Sequence, residues 1–113
     1  MEETRKPVLV ELANMLTNSW RDPGNLINID SRFFPLNRVE AYFVQVCMYE
    51  ELQQGVVGWK VGATSARMRE LDGHEDVIPG RIFQSRSYFG ANHNLQIKYF
   101  PGARAEAEFA FQL

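Results

Sequence analysis

Residues 55–68 have the sequence GVVGWKVGATSARM, and the hydrophobic period of the chain changes within them. Upstream, apolar residues recur at intervals of three and four, as they do along one face of a helix. Here Val57, Trp59 and Val61 alternate with glycine and lysine positions, and this two-residue period is typical of a β-strand. The chain is therefore predicted to be helical first and β-rich second, which indicates an α+β fold.

Two helices are predicted upstream of this change. The segment KPVLVELANMLTNSW (6–20) places proline in its first turn and repeats apolar residues at helical spacing. In the second helix Asn37 can cap the N-terminus while Glu40 reaches back three residues later, and Gly55 is expected to end the helix. Its apolar stripe is predicted to comprise Val39, Phe43 and Val46. Residues 1–55 are therefore expected to form a helical N-terminal region.

Residues 56–113 are expected to form a β-rich region with a partial mixed sheet. A short helix, SARMREL, interrupts the strands, and Thr64 or Ser65 is predicted to cap it. The further strands are predicted at 81–85 (RIFQS), 95–100 (LQIKYF) and 104–113 (RAEAEFAFQL). The helical and β-rich regions are expected to pack as a single compact unit.

Composition narrows the class of protein. The 113 residues can bury one modest core. A net charge of −2 without a basic stripe argues against nucleic acid as a partner, and no apolar run approaches the ~20 residues that span a bilayer. Cys47 is the only cysteine, and the charged N-terminus lacks the apolar stretch of a signal peptide. The chain is therefore expected to act in the cytoplasm, away from membranes.

Lys60 is the first candidate for chemistry, because its same-face neighbours on the predicted strand are Gly58 and Gly62. Glycine weakens a strand and often marks the close approach of a ligand or another backbone. A lysine without bulky neighbours could stand in the floor of a pocket. The alternative is an exposed lysine on an edge strand, where it discourages aggregation.

The junction VGATSARM combines a strand, a turn of small residues and the start of a helix. Backbone N–H groups and the positive end of a helix dipole meet there, and this geometry suits a carboxylate or a phosphate. The GK[ST] ending of a nucleotide-binding loop is absent. An ordinary strand-to-helix turn, with Thr64 or Ser65 as its cap, explains the pattern equally.

Glu106 and Glu108 lie two residues apart in an alternating run, AEAEFAFQL. On a strand their side chains would point the same way, roughly 6.5–7 Å apart along the axis. Two carboxylates at that distance can converge on one hard cation such as Mg²⁺ or Mn²⁺. The alternative is that the two glutamates simply lie on the solvent-facing side of an exposed strand. His74 and His93 have no ligand partners at metal-site spacing, and both are expected at the surface.

Three runs, GVVGWKVGATSARM, PGRIF and AEAEFAFQL, occur in this order and together resemble a known family. They are similar to the N-terminal half of the hydratase/decarboxylase branch of the fumarylacetoacetate hydrolase superfamily. This branch includes 2-oxopent-4-enoate hydratase and 4-oxalocrotonate decarboxylase, enzymes of aromatic meta-cleavage catabolism. The resemblance covers about residues 39–113. It implies the start of a β-sandwich roll and a metal-dependent lyase that acts on 2-oxo and 2-hydroxydienoic acids.

The resemblance also implies roles for individual residues. Glu106 and Glu108 would supply two of three carboxylate ligands to Mg²⁺ or Mn²⁺, and Lys60 would be catalytic. The ion would chelate the 2-oxo acid and act as a Lewis acid, while the lysine would stabilise the enolate or move a proton. Thr64 and Ser65, at the junction suited to an anion, are expected to bind the substrate.

Two features depart from the family pattern. Hydratases of this branch commonly have Pro-Asp-aromatic-Gly where this chain has VIPG at residues 77–80, and the apolar Ile78 favours decarboxylation over hydration. Family members are also about twice as long, and the third carboxylate is expected after Leu113. The chain is therefore expected to be a truncated product, an excised domain or one part of a split protein.

Two classes of function remain open: an enzyme, and a non-catalytic protein. As an enzyme, the chain would bind a small 2-oxo acid as a homo-oligomer or with a sister hydratase/decarboxylase subunit. Glu75, Asp76 or a neighbouring subunit could then provide the missing carboxylate. As an alternative, it would be a non-catalytic remnant of such an enzyme that oligomerises or binds a partner. An acylpyruvate hydrolase fits less well, because neither histidine lies in the context which that branch uses.

Overall fold

Two long helices and a strand–helix–strand segment follow one another along the chain. In this computed structural model all of residues 1–113 are described, apart from the side chain of Asp72. The helices and strands, numbered in chain order, are α1 (Lys6–Arg21), α2 (Arg38–Leu52), β1 (Val56–Gly62), α3 (Ala66–Asp72) and β2 (Ile78–Phe83). Helices followed by a partial sheet make a small α+β fold, so the predicted fold class is confirmed. None of the described helices combines the length and the apolar character that a membrane span requires.

The first of two compact units comprises Met1–Glu51 and Asn94–Leu113. Its core is built from α1, α2 and the 3₁₀ turn between them. The buried members of this core are Leu9, Leu12, Ala13, Phe33 and Val44. Half-buried Leu16 packs against them, as the helical spacing of the first segment predicts.

Of the predicted α2 stripe, Phe43 packs against this core, but Val39 and Val46 do not. Val39 is 63% exposed and Val46 is also exposed, whereas Glu40 and Val44 are buried. Glu40 enters the interior because Arg5 pairs with its carboxylate, with Nη2 3.0 Å from Oε2. Burying this acidic position rotates the inward face of the helix by one residue relative to the stripe that apolar residues alone predict.

Asn37 caps α2 as predicted, since its Oδ1 accepts a hydrogen bond from the Glu40 N–H at 3.0 Å. The return bond differs from the expected capping box. Glu40 Oε2 accepts from the N–H of Leu36, one residue before the cap, at 2.9 Å. The helix ends at Leu52, and the left-handed residue that follows is Gln53 (φ 52°), two residues before the predicted stop at Gly55.

The second unit, Leu52–His93, is organised around the antiparallel pair of β1 and β2, so the sheet is not mixed. Its register pairs Gly58 with Ile82, Trp59 with Arg81, Lys60 with Gly80, Val61 with Pro79, and Gly62 with Ile78. Directly opposed residues of an antiparallel pair project to the same face. One face of the ribbon therefore carries Lys60 among glycines and isoleucines, and the other carries Trp59 and Val61.

The later strands depart most from the prediction. The strand expected at 81–85 is β2, which begins three residues earlier and ends two residues earlier. No strand is formed at 95–100 or 104–113 among the described residues. Ile97–Tyr99 is a 3₁₀ turn, and residues 103–113 have neither helix nor strand. Alternation alone cannot make a strand, because its backbone groups also need a neighbouring strand with which to pair.

Candidate functional site

Lys60 lies on β1 in surroundings almost free of side chains. Gly58 and Gly62 flank it along the strand, and Gly80 lies opposite it on β2. A Cβ atom added to Gly80 would stand 3.3 Å from Lys60 Cγ and 3.7 Å from Cδ, so the lysine stem runs across this third glycine. We call the three glycines around Lys60 the glycine frame. Sequence reasoning missed Gly80, because the strand register that brings it to Lys60 cannot be inferred from spacing.

Two isoleucines border the glycine frame. Ile82 lies opposite Gly58, and Ile78 lies opposite Gly62. The Lys60 side chain itself is exposed and makes no hydrogen bond or ion pair with any described residue. An ammonium group beside bare backbone and two apolar side chains is therefore available to a small anionic ligand.

Ser65 begins α3, and its Oγ accepts a hydrogen bond from the Met68 N–H at 3.2 Å. This bond settles the predicted choice of cap in favour of Ser65 over Thr64. Arg69 Nη1 donates to the carbonyl oxygens of Ala63 and Thr64, at 3.0 and 3.2 Å. The guanidinium therefore holds the turn between β1 and α3 and adds a positive charge beside Thr64 and Ser65.

Arg69 was not among the residues predicted from the sequence. Helix side chains tilt toward the N-terminus, so a long side chain in the first turns can fold back over the preceding loop. Arg69 has this position, four residues after the cap. Its spacing from Ser65 was a signal that could have identified it.

Glu106 and Glu108 are exposed and lie in the part of the first unit that has neither helix nor strand. Neither makes an ion pair with any described residue, so both carboxylates are open to a cation. Their oxygen atoms are the kind of ligand that Mg²⁺ and Mn²⁺ prefer. However, the described residues contain no cluster of three or more potential metal-ligating side chains. The pair therefore fits such an ion in chemistry but supplies only part of a ligand set.

The predicted site residues are divided between the two units. Lys60, Thr64 and Ser65 follow one another through β1 and the start of α3 in the second unit. Glu106 and Glu108 belong to the first unit. The convergence of the lysine with the two carboxylates therefore stays a prediction.

Other side chains with reactive groups are poorly placed for catalysis. Cys47 is half-buried against the core, and this burial, with a smaller contribution from the charge of Glu50, raises the pKa of its thiol. A protonated thiol is a weak nucleophile. His74 and His93 are exposed, as predicted, and His93 Nε2 lies 2.6 Å from the Phe89 carbonyl oxygen. The junction of β1 and α3 is therefore the best candidate site in the second unit.

Comparison of the chain with protein-family models, curated proteins and solved structures finds no match. The resemblance to the fumarylacetoacetate hydrolase superfamily therefore depends on the three sequence runs alone.

Proposed function

We propose that the chain forms part of a metal-dependent lyase that acts in the cytoplasm on small 2-oxo or 2-hydroxydienoic acids. The proposed reaction is that of the hydratase/decarboxylase branch of the fumarylacetoacetate hydrolase superfamily. The main support is the setting of Lys60, an exposed and unpaired ammonium in a glycine frame. The turn that follows the strand of Lys60 holds a second cationic group, Arg69.

Lys60 would act on the oxygen at which charge develops. Decarboxylation or hydration of a 2-oxo acid passes through an enol or enolate, whose oxygen a nearby ammonium stabilises and can protonate. The glycine frame leaves space for a flat, short substrate to approach the strand backbone. Ile78 faces this space, where the hydratases commonly have an acidic residue, and therefore decarboxylation is favoured.

The turn after β1 would orient the substrate carboxylate. Arg69 uses one Nη1 in its bonds to the Ala63 and Thr64 carbonyls, and the remaining donors of a guanidinium suit a carboxylate. The Ser65 hydroxyl accepts from Met68 but keeps its own hydrogen, and the Thr64 side chain is exposed. These groups would bind and align the acid without taking part in proton transfer.

Glu106 and Glu108 would hold the Mg²⁺ or Mn²⁺ ion. When bound, this ion would supply the Lewis acid that polarises the 2-oxo group. Two carboxylates leave a divalent ion largely hydrated, and Mg²⁺ loses water reluctantly. A third carboxylate from another subunit, either a second copy or a sister hydratase/decarboxylase, would complete the ligand set.

Binding of a substrate analogue tests the proposal without requiring turnover. We expect 2-oxopentanoate to perturb the NMR signals of residues 60–65 in the isolated chain. Lys60→Met should abolish this perturbation. Lys98→Met is the matched control, because Lys98 lies in the first unit with its Nζ 4.8 Å from the Tyr99 ring centroid, and it should leave the perturbation unchanged. Equal binding by the wild type and Lys60→Met would contradict the proposed role of Lys60.

Metal binding is tested separately with Mn²⁺, whose free-ion EPR signal falls on binding. We expect weak binding that Glu106→Gln removes, since the change deletes half the fixed charge of the pair. With 4-oxalocrotonate or 2-hydroxypentadienoate and Mn²⁺, the dienol absorbance should show little or no turnover by the isolated chain. If neither Mn²⁺ nor 2-oxopentanoate binds, the proposal fails and a non-catalytic module is favoured.

A further inference from the structure

The face of β1 opposite Lys60 is apolar and largely uncovered. Trp59 and Val61 lie on it, and both are exposed, Trp59 by 58%. The guanidinium carbon of Arg81 lies 5.1 Å from the centroid of the Trp59 ring. A tryptophan next to a valine on one face of a strand gives it an exposed apolar surface that favours burial.

The outer edge of β1 is also unpaired. The sheet has two strands, so β2 covers only one edge of β1. Among the described residues, none from 56 to 62 takes part in a backbone hydrogen bond outside the sheet. Such an edge is a template for another strand. β2 is a poorer template, because Pro79 has no N–H to donate.

A segment of the same chain has the properties of the missing strand. Residues 105–113, which we call the terminal segment, alternate apolar and polar positions as AEAEFAFQL. Phe109 is 97% exposed and Phe111 is 87% exposed. None of the described residues from 104 to 113 forms a hydrogen bond or an ion pair. Both its apolar side chains and its backbone groups are therefore available for pairing.

The two faces of the terminal segment match the two faces of β1. On a strand, the phenylalanines would share one face, and Glu106 and Glu108 would share the other. Pairing with β1 in the matching register places the phenylalanines beside Trp59 and Val61. The same register places the two carboxylates on the face of Lys60. A slip of one residue would reverse both matches, putting carboxylates against Trp59 and phenylalanine against the ammonium.

We propose that the terminal segment of one copy of the chain adds as a strand to the free edge of β1 in a second copy, and that the exchange is reciprocal. The occupant is a second copy because, in the described part of the single chain, the free edge of β1 and the terminal segment both remain unpaired although they match in apolar and charged residues. Burying the four phenylalanines of a dimer contributes roughly 600–1,000 Å². The strands and Trp59 of both copies extend this toward the ~1,200 Å² at which stable interfaces begin. This pairing requires no metal and does not depend on the proposed lyase activity.

Sedimentation over a range of about 1–200 µM protein tests the dimer. We expect the wild type to convert from monomer to dimer within this range. The double variant Phe109→Ser/Phe111→Ser should weaken association at least tenfold. Leu26→Ser is the matched control, because Leu26 is also a large exposed apolar residue of the first unit, and it should not alter association. A wild type that stays monomeric throughout, or a double variant that dimerises like the wild type, would overturn the proposal.

Exchanging the charges of Lys60 and the two glutamates distinguishes a loss of strand pairing from a loss of folding. Lys60→Glu alone, and Glu106→Lys/Glu108→Lys alone, should each weaken self-association several-fold, because like charges then oppose one another. In an equimolar mixture of the two variants, both reciprocal contacts regain opposite charges. We therefore expect the mixture to form heterodimers at wild-type concentrations. Failure of the mixture to associate more tightly than either variant alone would show that Lys60 and the glutamates do not meet across the interface.

Discussion

At the scale of single residues, Thr17 places a buried hydroxyl in the first unit without a hydrogen-bond partner in the described part of the chain. It lies on α1 with no exposed surface, and its Oγ1 has no hydrogen-bond partner among the described residues. An unpaired buried hydroxyl costs roughly 1–3 kcal/mol. Thr17→Val replaces the hydroxyl with a methyl group of similar shape. We expect the variant to raise the free energy of unfolding by about 1 kcal/mol, measured by urea denaturation.

The matched control at this position is Thr17→Ser. It keeps the hydroxyl but deletes a buried methyl group, so it should lower the free energy of unfolding by about 1 kcal/mol. A valine variant less stable than the wild type would show that the Thr17 hydroxyl is paired in solution.

Glu40 is the second residue, and its contribution to the free energy of unfolding depends on pH. The hydrogen bond from Arg5, followed by that from the Leu36 N–H, holds the pKa of the Glu40 carboxyl below its ordinary value of 4.5. A depressed pKa means that the ionised carboxylate stabilises the fold. This contribution is complete above about pH 4.5 and is lost as the pH falls through the lower, folded-state pKa.

We therefore expect Glu40→Gln to be markedly less stable than the wild type at pH 7. The two free energies of unfolding should converge as the pH falls from about 4.5 through the lower folded-state pKa, where the wild-type carboxylate becomes protonated. Glu51→Gln is the control, because its partner Arg21 is half-exposed, and it should cost less than about 1 kcal/mol at any pH. A difference between wild type and Glu40→Gln that does not change with pH would exclude the ion pair as its source.

The roles of residues whose bonding partners are close in sequence could be predicted, whereas those of residues whose partners are distant in sequence could not. Asn37 and Ser65 were identified because a cap bonds to a backbone group three residues away. Arg5 and Glu40 are 35 positions apart, and nothing in their spacing indicates that they pair. Gly80 joins Lys60 through strand register, which is also non-local.

At the scale of elements, the cap of α2 stabilises the helix from which Glu40 projects. Asn37→Ala removes the acceptor of the Glu40 N–H and should lower the free energy of unfolding by about 1 kcal/mol. Asn37→Ser keeps an oxygen at the cap and should cost only a few tenths of this, which makes it the matched control. Chemical denaturation followed by circular dichroism measures both. Equal losses for the two variants would show that the cap oxygen contributes little.

Elements with a clear internal period were predicted correctly, whereas those that depend on a neighbour were not. The period of 6–20 and the strand at 56–62 agree with α1 and β1. The segments 95–100 and 104–113 alternate as well, but the structure gives neither a strand partner. For the terminal segment, we propose that this partner is β1 of a second copy. The alternation of apolar and polar residues in this segment would then reflect pairing between two copies of the chain.

At the scale of the whole molecule, the change of period near residue 55 was sufficient to predict the α+β class. The strand, turn and short helix that hold Lys60, Thr64 and Ser65 were also predicted, because they are contiguous in sequence. The position of Glu106 and Glu108 relative to Lys60 could not be derived in this way. It depends on how separate units or copies meet, and no local pattern encodes that arrangement.

Strand exchange between copies would link folding to association. A partner that binds only the folded chain stabilises it by mass action, so the melting temperature should rise with protein concentration. We expect an increase of several degrees between 2 and 200 µM for the wild type, measured by scanning calorimetry. Adding EDTA should not change this increase, because the pairing needs no metal.

The double variant Phe109→Ser/Phe111→Ser separates association from intrinsic stability. Both phenylalanines are almost fully exposed in the single chain, so their loss should leave the melting temperature at 2 µM unchanged. The dependence on concentration should disappear, because the variant cannot bury the apolar face of β1 in a second copy. A wild-type melting temperature independent of concentration would instead mean that β1 keeps its free edge, and the apolar face of Trp59 would then need a different partner.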